Sequence, residues 1–439
     1  MNNLLEQALK RADAAEVFIR TTRSTQISSL GDEVTAADTQ DRHEVLLRLG
    51  VGRQVGSAVA SSLDDVGVVD RALASLVPGD MKAELWGSPL VRTAVECYDK
   101  ALVDLTPGDM ADISREISKM VDRAIPGLKA DVQVYKEEGR VGLANSVGFT
   151  DQFMTTRYRV AVTTKNNLGF TEVSRRVQSS RLVDFTPGLV ETLLQLHRAG
   201  ENVGTVKSGK MPVVFSGKAM GALMWRLLAG VNSSNVLLGT SPLANKMGEK
   251  IAAAQLTVRD DPAQPWGWST RPFDDRGVPS SETLLVEDGV LRRYLASPAD
   301  AAKLGVEPTA NSFKRTPFSR DIEDPYSIDG TNLVLSGDTC SDTELMVTAG
   351  RNIYVQSVMG AHTGNIVAGD YALPVSRGYV IEGGRIVAKL KDAIVSGNIY
   401  KDLFNILSLG SLPEPLEAID QQYGDCPAVL FAEISVVGE

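Results

Sequence analysis

The chain has 439 residues, of which 43% are hydrophobic and 23% charged, and its formal net charge is −10. These ordinary values exclude wholesale disorder, and the length predicts two or three domains. The acidic balance also argues against a protein whose main task is to grip nucleic acid, and no run of Lys or Arg indicates a local basic groove.

The first half shows strand and helix patterns in an order that repeats. A helix at 4–9 and strands at 15–20, 43–49 and 54–60 are followed by helices at about 64–76, 89–101 and 109–124. Strands at 131–135, 158–164 and 168–172 then lead to a helix at 187–196. Two strand-rich segments, each closed by a helix, predict an α+β domain with an internal duplication.

The second half reads as rich in strands. A Gly-rich polar segment at 200–210 is the best linker candidate, and a strand at 212–217 and a helix at 218–231 follow it. Asp288-Gly289 and Gly383-Gly384 each lie between apolar runs, as in tight hairpins. A late helix at 399–409 and a terminal strand at 429–436 complete the prediction. We therefore expect a duplicated α+β N-terminal domain at 1–205 and a β-rich, mainly antiparallel C-terminal domain at 206–439.

The cysteines and the N-terminus bear on the compartment. Cys97, Cys340 and Cys426 are far apart and odd in number, which fits neither a disulfide framework nor a CxxC metal site. The first residues lack the pattern of a secretory signal, and the most apolar helical segment is too short to span a bilayer. The sequence predicts a soluble cytoplasmic protein with no membrane partner.

Two motifs in the chain suggest chemistry but also have structural interpretations. Gly50 to Gly56 resembles a dinucleotide fingerprint, yet its third glycine falls one place late and strand residues follow, so we interpret it as a hairpin turn. Asp274 and Asp275 lie in a Gly- and Pro-rich loop that could hold a metal ion or act in acid–base catalysis. We favour the interpretation that such aspartates accept hydrogen bonds from backbone N–H groups.

A second glycine-rich loop carries His362, Asn365 and Asp370. His362 could be a ligand or a base, but a single histidine with no second ligand nearby is more often a hydrogen-bonded structural residue. We expect the Asp274–Asp275 and His362 loops to serve structure more than chemistry. Asp274, Asp275, His362, Asn365 and Asp370 are nevertheless the candidate groove or loop residues.

Several sequence blocks, in the same order over nearly the whole chain, resemble the TldD/PmbA family, also described as modulators of DNA gyrase. These blocks are 141–148, 273–279, 286–291, 360–365, 369–371, 374–375, 381–386 and 396–398. The resemblance implies an α+β N-terminal domain, a β-rich C-terminal domain, and a heterodimeric protease that acts on peptides. In that family the TldD subunit carries a zinc motif, H-E-x-x-x-H, and the subunit called PmbA or TldE lacks it.

The helix at 218–231 distinguishes the two subunits. The positions that match the motif's two histidines and its glutamate are Trp225, Gly230 and Arg226. Neither Trp nor Gly offers a side-chain ligand, and Arg cannot accept a proton from a zinc-bound water. The chain thus resembles the metal-free PmbA/TldE subunit, with no catalytic residue, no metal ligand and no cofactor, and Arg226 is expected to bind a carboxylate.

The resemblance implies a partner, either a TldD-like metal-binding subunit or a second copy of this chain, and a peptide substrate. The apolar segment 403–407 suggests that the second half carries the dimer contact. Two alternatives stay open: a stand-alone member of the family that uses Asp274, Asp275 and His362 without zinc, and a non-enzymatic regulator or binding protein. The acidic charge weighs against a nucleic-acid partner.

Overall fold

The computed structural model describes residues 1–87, 93–165, 172–316, 319, 321–418 and 421–439. The elements of the first half are α1 (Asn2–Leu9), β1 (Ala14–Leu30), β2 (Glu33–Val51), β3 (Gln54–Ala60), α2 (Val68–Ala74), β4 (Val77–Pro78), α3 (Met81–Glu84), α4 (Lys100–Asp104), α5 (Pro107–Ala124), β5 (Ala130–Asn145), β6 (Thr150–Lys165), β7 (Glu172–Ser179) and α6 (Thr186–Ala199).

The second half contains more strands than helices. Its elements are β8 (Val203–Gly204), β9 (Gly209–Phe215), α7 (Gly217–Val231), α8 (Ser233–Leu237), β10 (Thr257–Asp260), β11 (Thr283–Glu287), β12 (Val290–Leu291), α9 (Pro298–Leu304), β13 (Ser312–Lys314), β14 (Tyr326–Ile328), β15 (Leu333–Ser336), α10 (Asp342–Ala349), β16 (Asn352–Val358), β17 (Asp370–Glu382), β18 (Arg385–Leu390), β19 (Ile394–Asn398), α11 (Ile399–Asp402), a 3₁₀ turn (Leu403–Asn405), β20 (Ile406–Ala418) and β21 (Gln421–Val437).

The first half forms one antiparallel sheet, which in the described ranges has the strand order β4-β3-β2-β1-β5-β6-β7. The order helix, three strands, helix occurs twice, as α1-β1-β2-β3-α2 and as α5-β5-β6-β7-α6. The two units meet where β1 pairs with β5 in antiparallel register. The predicted α+β fold with a repeated order of strands and helices is therefore confirmed.

The two faces of this sheet have different neighbours. Because side chains alternate along a strand, Val17 and Ile19 of β1 point to one face, where they share a buried cluster with α1 and α2. Phe18 points to the other face and packs with Phe273 and Ile322 of the second half. Loops of the second half therefore pack on this second face of the sheet.

The main sheet of the second half closes on itself. β9 pairs with β16, β16 with β17, β17 with β19, β19 with β21, and β21 with β9. All of these pairings are antiparallel except β9 with β16, which agrees with the mainly antiparallel sheet expected. Helices α5 and α6 share a buried core with β16, β17 and β21, so the division at 1–205 and 206–439 stays a prediction.

Helix α7 packs against the β20–β21 hairpin at very short distance. A Cβ atom added to Gly217 would lie 2.1 Å from the carbonyl oxygen of Cys426, and one added to Gly221 would lie 1.9 Å from that of Glu417. These separations are far below van der Waals contact. Only glycine, which has no Cβ atom, allows the helix and the hairpin to approach this closely.

Most predicted elements are present and many are longer than predicted, whereas the helix predicted at 64–76 is shorter (Val68–Ala74) and the strand predicted at 168–172 shares only residue 172 with β7. Both tight hairpins are confirmed. Asp288 and Gly289 have φ of 50° and 77°, and Gly383 and Gly384 have φ of 58° and 74°, as two-residue hairpin turns require. The 51–54 segment is the turn between β2 and β3, as the hairpin interpretation of Gly50 to Gly56 predicted.

Two predicted helices are wrong in part. In the segment 89–101, residues 93–99 are not helical, and α4 begins only after Asp99, whose side chain accepts the N–H of Ala101. The late helix ends at Asp402, and β20 replaces it from Ile406 because this segment pairs with β21. Residues 89–92 and 168–171 of the predictions lie outside the described residues.

Gly221→Ala tests the close approach of α7 to the hairpin. We expect a loss of about 1–3 kcal/mol or more in the free energy of unfolding, because the methyl group overlaps backbone atoms that must shift. Urea denaturation measures it. Gly188→Ala, in α6 with no atom within 4 Å of the added Cβ, is the matched control and should be neutral or slightly stabilising. Equal stability of the two variants would contradict the prediction.

Candidate functional site

Helix α7 carries the three positions that match the zinc motif. It begins after Ser216, whose Oγ accepts the N–H of Ala219 at 3.1 Å and donates to the carbonyl of Gln356 at 2.7 Å. These bonds attach the start of the helix to β16. The helix is buried along most of its length, so most of its side chains face other parts of the protein.

Arg226, at the position of the motif's glutamate, is fully buried. Its guanidinium donates to the carbonyl oxygens of Ala222 at 2.7 Å, Ala361 at 3.1 Å, Thr363 at 2.9 Å and Asp370 at 3.0 Å. Burial lowers the pKa of Arg226, and the nearby Tyr371 and Asp370 oppose this effect. Within this chain the guanidinium binds backbone carbonyls of its own helix and of the 360–370 loop. The expected bond to a carboxylate of a partner or a peptide stays a prediction.

Gly230, at the position of the motif's second histidine, lies against Tyr400. A Cβ atom at Gly230 would be 2.3 Å from Tyr400 Oη, and this hydroxyl lies 2.8 Å from the carbonyl oxygen of Val367, to which it donates. The tyrosine therefore occupies the space that a histidine side chain would need. Trp225, at the first histidine position, is partly buried against the core.

The residues at the motif positions do not fit a zinc ion. A catalytic zinc needs about three N, S or O ligands and an open position for water. Here one position has an indole and another has no side chain, and a guanidinium bonded to carbonyls stands where the general base would be. Among the described residues no group of three or more His, Cys, Asp or Glu side chains is placed to hold a metal ion.

Cys426, near the end of the chain, was not assigned a ligand role from the sequence. Its thiol is fully buried, and burial, with the neighbouring Glu414 and Asp425, raises its pKa. Its Sγ lies 3.2 Å from the carbonyl oxygen of Pro427. The neutral thiol is therefore the favoured form in these surroundings.

The loop from 360 to 370 brings three of the predicted residues beside α7. His362 and Asn365 are exposed; the Asn365 side chain accepts the N–H of Ala368 at 3.0 Å. Asp370 Oδ1 accepts from Asn398 Nδ2 at 2.9 Å. The loop is thus held by Arg226 on its carbonyl oxygens and by polar side chains at its end.

Asp274 and Asp275 lie elsewhere, between β13 and the first-half sheet. Asp274 accepts the backbone N–H groups of Arg276, Val278 and Ser312 at 2.9–3.0 Å. Burial raises its pKa to about 7, although these hydrogen bonds act in the opposite direction. Asp275 accepts the N–H of Lys314 at 2.8 Å. Both contacts are of the kind expected from aspartates that order a turn.

A basic cavity, which the sequence did not indicate, lies between the first-half sheet and the loops of the second half. Its volume is about 220 Å³. Among the described residues its lining contains seven basic and three acidic side chains. The sheet contributes Arg20, Arg42, Arg140 and Arg157 with Glu44 and Glu137; the second half contributes Arg271, Lys314 and Arg315 with Asp275.

Register explains why these residues meet. Arg20 of β1 is directly opposite Glu44 of β2, and Thr22 is opposite Arg42. Glu137 of β5 is opposite Arg157 of β6. Each residue is isolated in sequence, and the alternation of side chains on paired strands places Arg20, Arg42, Glu44, Glu137 and Arg157 on one face. Arg140 is opposite Thr21, so its side chain alternates to the other face, where it donates to Gln152 at 3.0 Å. A search for runs of Lys or Arg could not find them; strand pairing was the necessary signal.

Buried charges adjoin the cavity. The Lys314 side chain is 2% exposed, and its ammonium lies 4.0 Å from Glu16 Oε1 and 3.9 Å from the centre of the Tyr326 ring. Burial lowers the pKa of Lys314 to about 7; Arg48 and Arg276 act in the same direction, whereas Glu16 and Asp275 raise it. Glu16 also accepts from Tyr326 Oη at 2.7 Å. These groups join β1 to β13 and β14.

Comparison with known proteins places the chain in a family. Residues 208–438 match the domain described as the PmbA/TldA metallopeptidase C-terminal domain. The chain belongs to the PmbA/TldD family. A protein from Methanothermobacter thermautotrophicus, named Metalloprotease, is 31% identical over 205 residues, which are 46% of this chain and 43% of that protein. The match thus spans less than half of that relative.

Similarity over the full length establishes the fold. The Haemophilus influenzae protein named Metalloprotease PmbA homolog is 21% identical over 424 residues, 92% of this chain and 89% of that protein. The crystal structure of TldE from Thermococcus kodakarensis has a TM-score of 0.87 at 22% identity and covers 100% of both chains. A Thermotoga maritima structure described as a modulator of a DNA gyrase has a TM-score of 0.82 at 22% identity, covering 99% of each chain.

Arg226→Met tests whether the guanidinium holds the 360–370 loop. We expect the free energy of unfolding to fall by about 3 kcal/mol or more, since each buried carbonyl left without a donor costs about 1–3 kcal/mol. Urea denaturation measures the change. Arg198→Met, which removes an exposed arginine from α6, should change stability by about 0.5 kcal/mol or less. Similar losses for both variants would refute the role given to Arg226.

Lys314→Met tests the buried ammonium through pH. The folded-state pKa of about 7 lies below the ordinary 10.5, so between these values the unfolded state binds more protons and the wild type gains stability as pH rises. The difference in unfolding free energy, wild type minus variant, should increase by up to about 1 kcal/mol per pH unit in this interval. A difference in unfolding free energy that stays constant between pH 7 and 10.5 would contradict this prediction.

Proposed function

We propose that this chain is the metal-free, PmbA/TldE-like subunit of a two-subunit metalloprotease that processes peptides. The observation that carries the proposal is that the motif positions of α7 hold neither a zinc ligand nor a general base. The family fold is retained over the full chain, but Arg226 and Tyr400 occupy the space where the zinc motif would place its glutamate and second histidine. On this proposal the partner supplies zinc, general base and metal-bound water.

Partner, substrate and location complete the proposal; the first two come from the family resemblance. The partner is a chain with the H-E-x-x-x-H motif, and the substrate is a peptide. A cytoplasmic location is part of the proposal. Among the described residues no helix is long and apolar enough to cross a membrane.

The 403–407 segment contacts both the core and the solvent. Leu403 and Ile406 are buried in this chain's own core, and Phe404 and Leu407 are exposed. Those two exposed side chains are where we expect a partner to contact it.

A stand-alone enzyme that uses other groups is the less favoured alternative. Its candidate residues lie in two different loops, one attached to α7 and one to β13. Asp274 is buried and bonded to three backbone N–H groups, and it is not available to a substrate. No specific contact favours a role as a regulator of another protein.

The isolated chain should bind no zinc in stoichiometric amount and cleave no peptide. Metal analysis after zinc titration and dialysis, together with a peptidase assay on unfolded peptides, measures both. The same assays are then run after co-expression with each candidate partner that carries the H-E-x-x-x-H motif. We expect a stable complex by light scattering, with cleavage that needs both chains and is abolished by a chelator.

Two controls locate the activity. A partner whose motif glutamate is replaced by glutamine should form the complex without cleaving peptide, because the general base is lost. Gly230→His in this chain should not create a zinc site, because the imidazole overlaps Tyr400. Chelator-sensitive cleavage by the isolated chain, or failure of every motif-bearing partner to associate with it, would refute the proposed function.

A further inference from the structure

The carboxylates that line the basic cavity already have cationic partners. Glu44 lies 3.0 Å from Arg20 and 3.1 Å from Arg42, and Asp275 lies 3.2 Å from Arg271. Glu137 pairs with Arg157. These pairs engage all three acidic groups of the lining. Two aspartates outside the lining also pair with its cations, Asp329 with Arg315 at 2.9 Å and Asp321 with Arg42 at 3.0 Å, and the basic side chains still outnumber all of these carboxylates. The cavity therefore presents donors and positive charge to whatever enters it.

The loop side of the cavity is built to hold its cations in place. The guanidinium groups of Arg271 and Arg315 lie 4.5 and 4.6 Å from the centre of the Phe313 ring. Both arginines are largely buried, with side chains 15% and 12% exposed. Nε of Arg315 is buried and has no hydrogen-bond acceptor in the described part of the chain. Stacked and buried guanidinium groups lose little freedom when they bind an anion.

Lys314 adds an ammonium group between these arginines and the sheet. It is nearly fully buried, and its Nζ is 4.0 Å from Glu16, which is beyond hydrogen-bond distance. A buried ammonium whose nearest carboxylate is beyond hydrogen-bond distance is costly, and a hydrogen-bonded counter-ion lowers that cost. An anion in the cavity would be such a counter-ion.

The size and the donors of the cavity define the class of ligand. A volume of about 220 Å³ is below the roughly 300–1,000 Å³ usual for whole small-molecule ligands. It suits one charged group and its immediate attachment. Guanidinium groups match the planar, two-oxygen geometry of a carboxylate, with which they form paired hydrogen bonds.

We propose that the basic cavity binds a carboxylate group of a peptide, presented either by an acidic side chain or by the free C-terminus. The peptide part of this proposal rests on the proposed function; the carboxylate site rests on the cavity itself. The cavity then anchors a peptide on this chain, while bond cleavage takes place on the partner.

The test is equilibrium binding of short N-acetylated peptides to the isolated full chain, measured by calorimetry at low and high salt. One pair of C-terminally amidated peptides differs only by Glu against Gln at a central position. A second pair has a free or an amidated C-terminus and no acidic side chain. Tighter binding of the Glu peptide identifies an acidic side chain as the ligand, and tighter binding of the free acid identifies the C-terminus.

Arg42→Gln and Arg271→Gln locate the binding. Arg42 is 55% exposed, so its loss should leave the fold intact and raise Kd about threefold or more. Arg271 is buried, and its loss should raise Kd by about tenfold or more. Arg23→Gln is the matched control: it removes the same charge from β1 next to Thr22, but its side chain points away from the cavity, and Kd should stay unchanged.

Equal binding within both peptide pairs, insensitivity to salt, or equal affinity of wild type and Arg42→Gln protein would overturn the proposal. Circular dichroism and thermal melting confirm that each variant is folded. The measurement uses the chain without its partner and reads affinity, not cleavage. A complex that cleaves peptides although the cavity binds no carboxylate would refute this inference alone, and carboxylate binding without any active complex would refute only the proposed function.

Discussion

The fold around α7 depends on the single guanidinium of Arg226. A fully buried arginine is tolerated only when its N–H groups have acceptors, and here the carbonyls of Ala222, Ala361, Thr363 and Asp370 provide them. These bonds tie the helix to a loop whose glycines give it no rigidity of its own. With the loop in place, β17 begins at Asp370, pairs with β19 and β16, and closes the sheet. Arg226, at the position of the motif's glutamate, therefore has a structural role: it holds the helix and the loop together.

If the chain is the metal-free subunit proposed above, Arg226 and Tyr400 explain how the fold persists without zinc. A zinc ion holds its ligands by direct bonds, and a chain that loses the ligands needs other bonds between the same segments. Arg226 supplies them to the 360–370 loop, and Tyr400 fills the volume beside Gly230 and bonds to Val367. Polar contacts of this kind are specific in geometry, so they preserve the positions of helix and loop as a metal would.

The sequence allowed prediction of the elements with local signals, but it did not reveal contacts made between distant segments. Asp288-Gly289 and Gly383-Gly384 specify their turns by positive φ, and α7 is evident from its apolar periodicity. The segment from Ile406 has apolar residues compatible with helix or strand, and its pairing with β21 decides between them. Of the candidate site, the loss of the zinc motif could be read directly at Trp225, Arg226 and Gly230. The carbonyl partners of Arg226 could not, because backbone acceptors carry no sequence signature.

The charges of the basic cavity also could not be predicted from the sequence. The cavity gives the strongest argument that the contact between the two halves has a function. A net charge of −10 concealed a cluster of arginines, because strand register assembles it from β1, β2 and β6. Burying Lys314 with its nearest carboxylate 4.0 Å away lowers stability, and an apolar residue of similar volume would pack between Phe18 and Tyr326 without that penalty. Violations of the rules of stable packing concentrate where a protein binds or reacts. An interface that had only to hold two halves together would not need its cations aimed at an open space, and a negatively charged ligand is the partner that such an arrangement attracts.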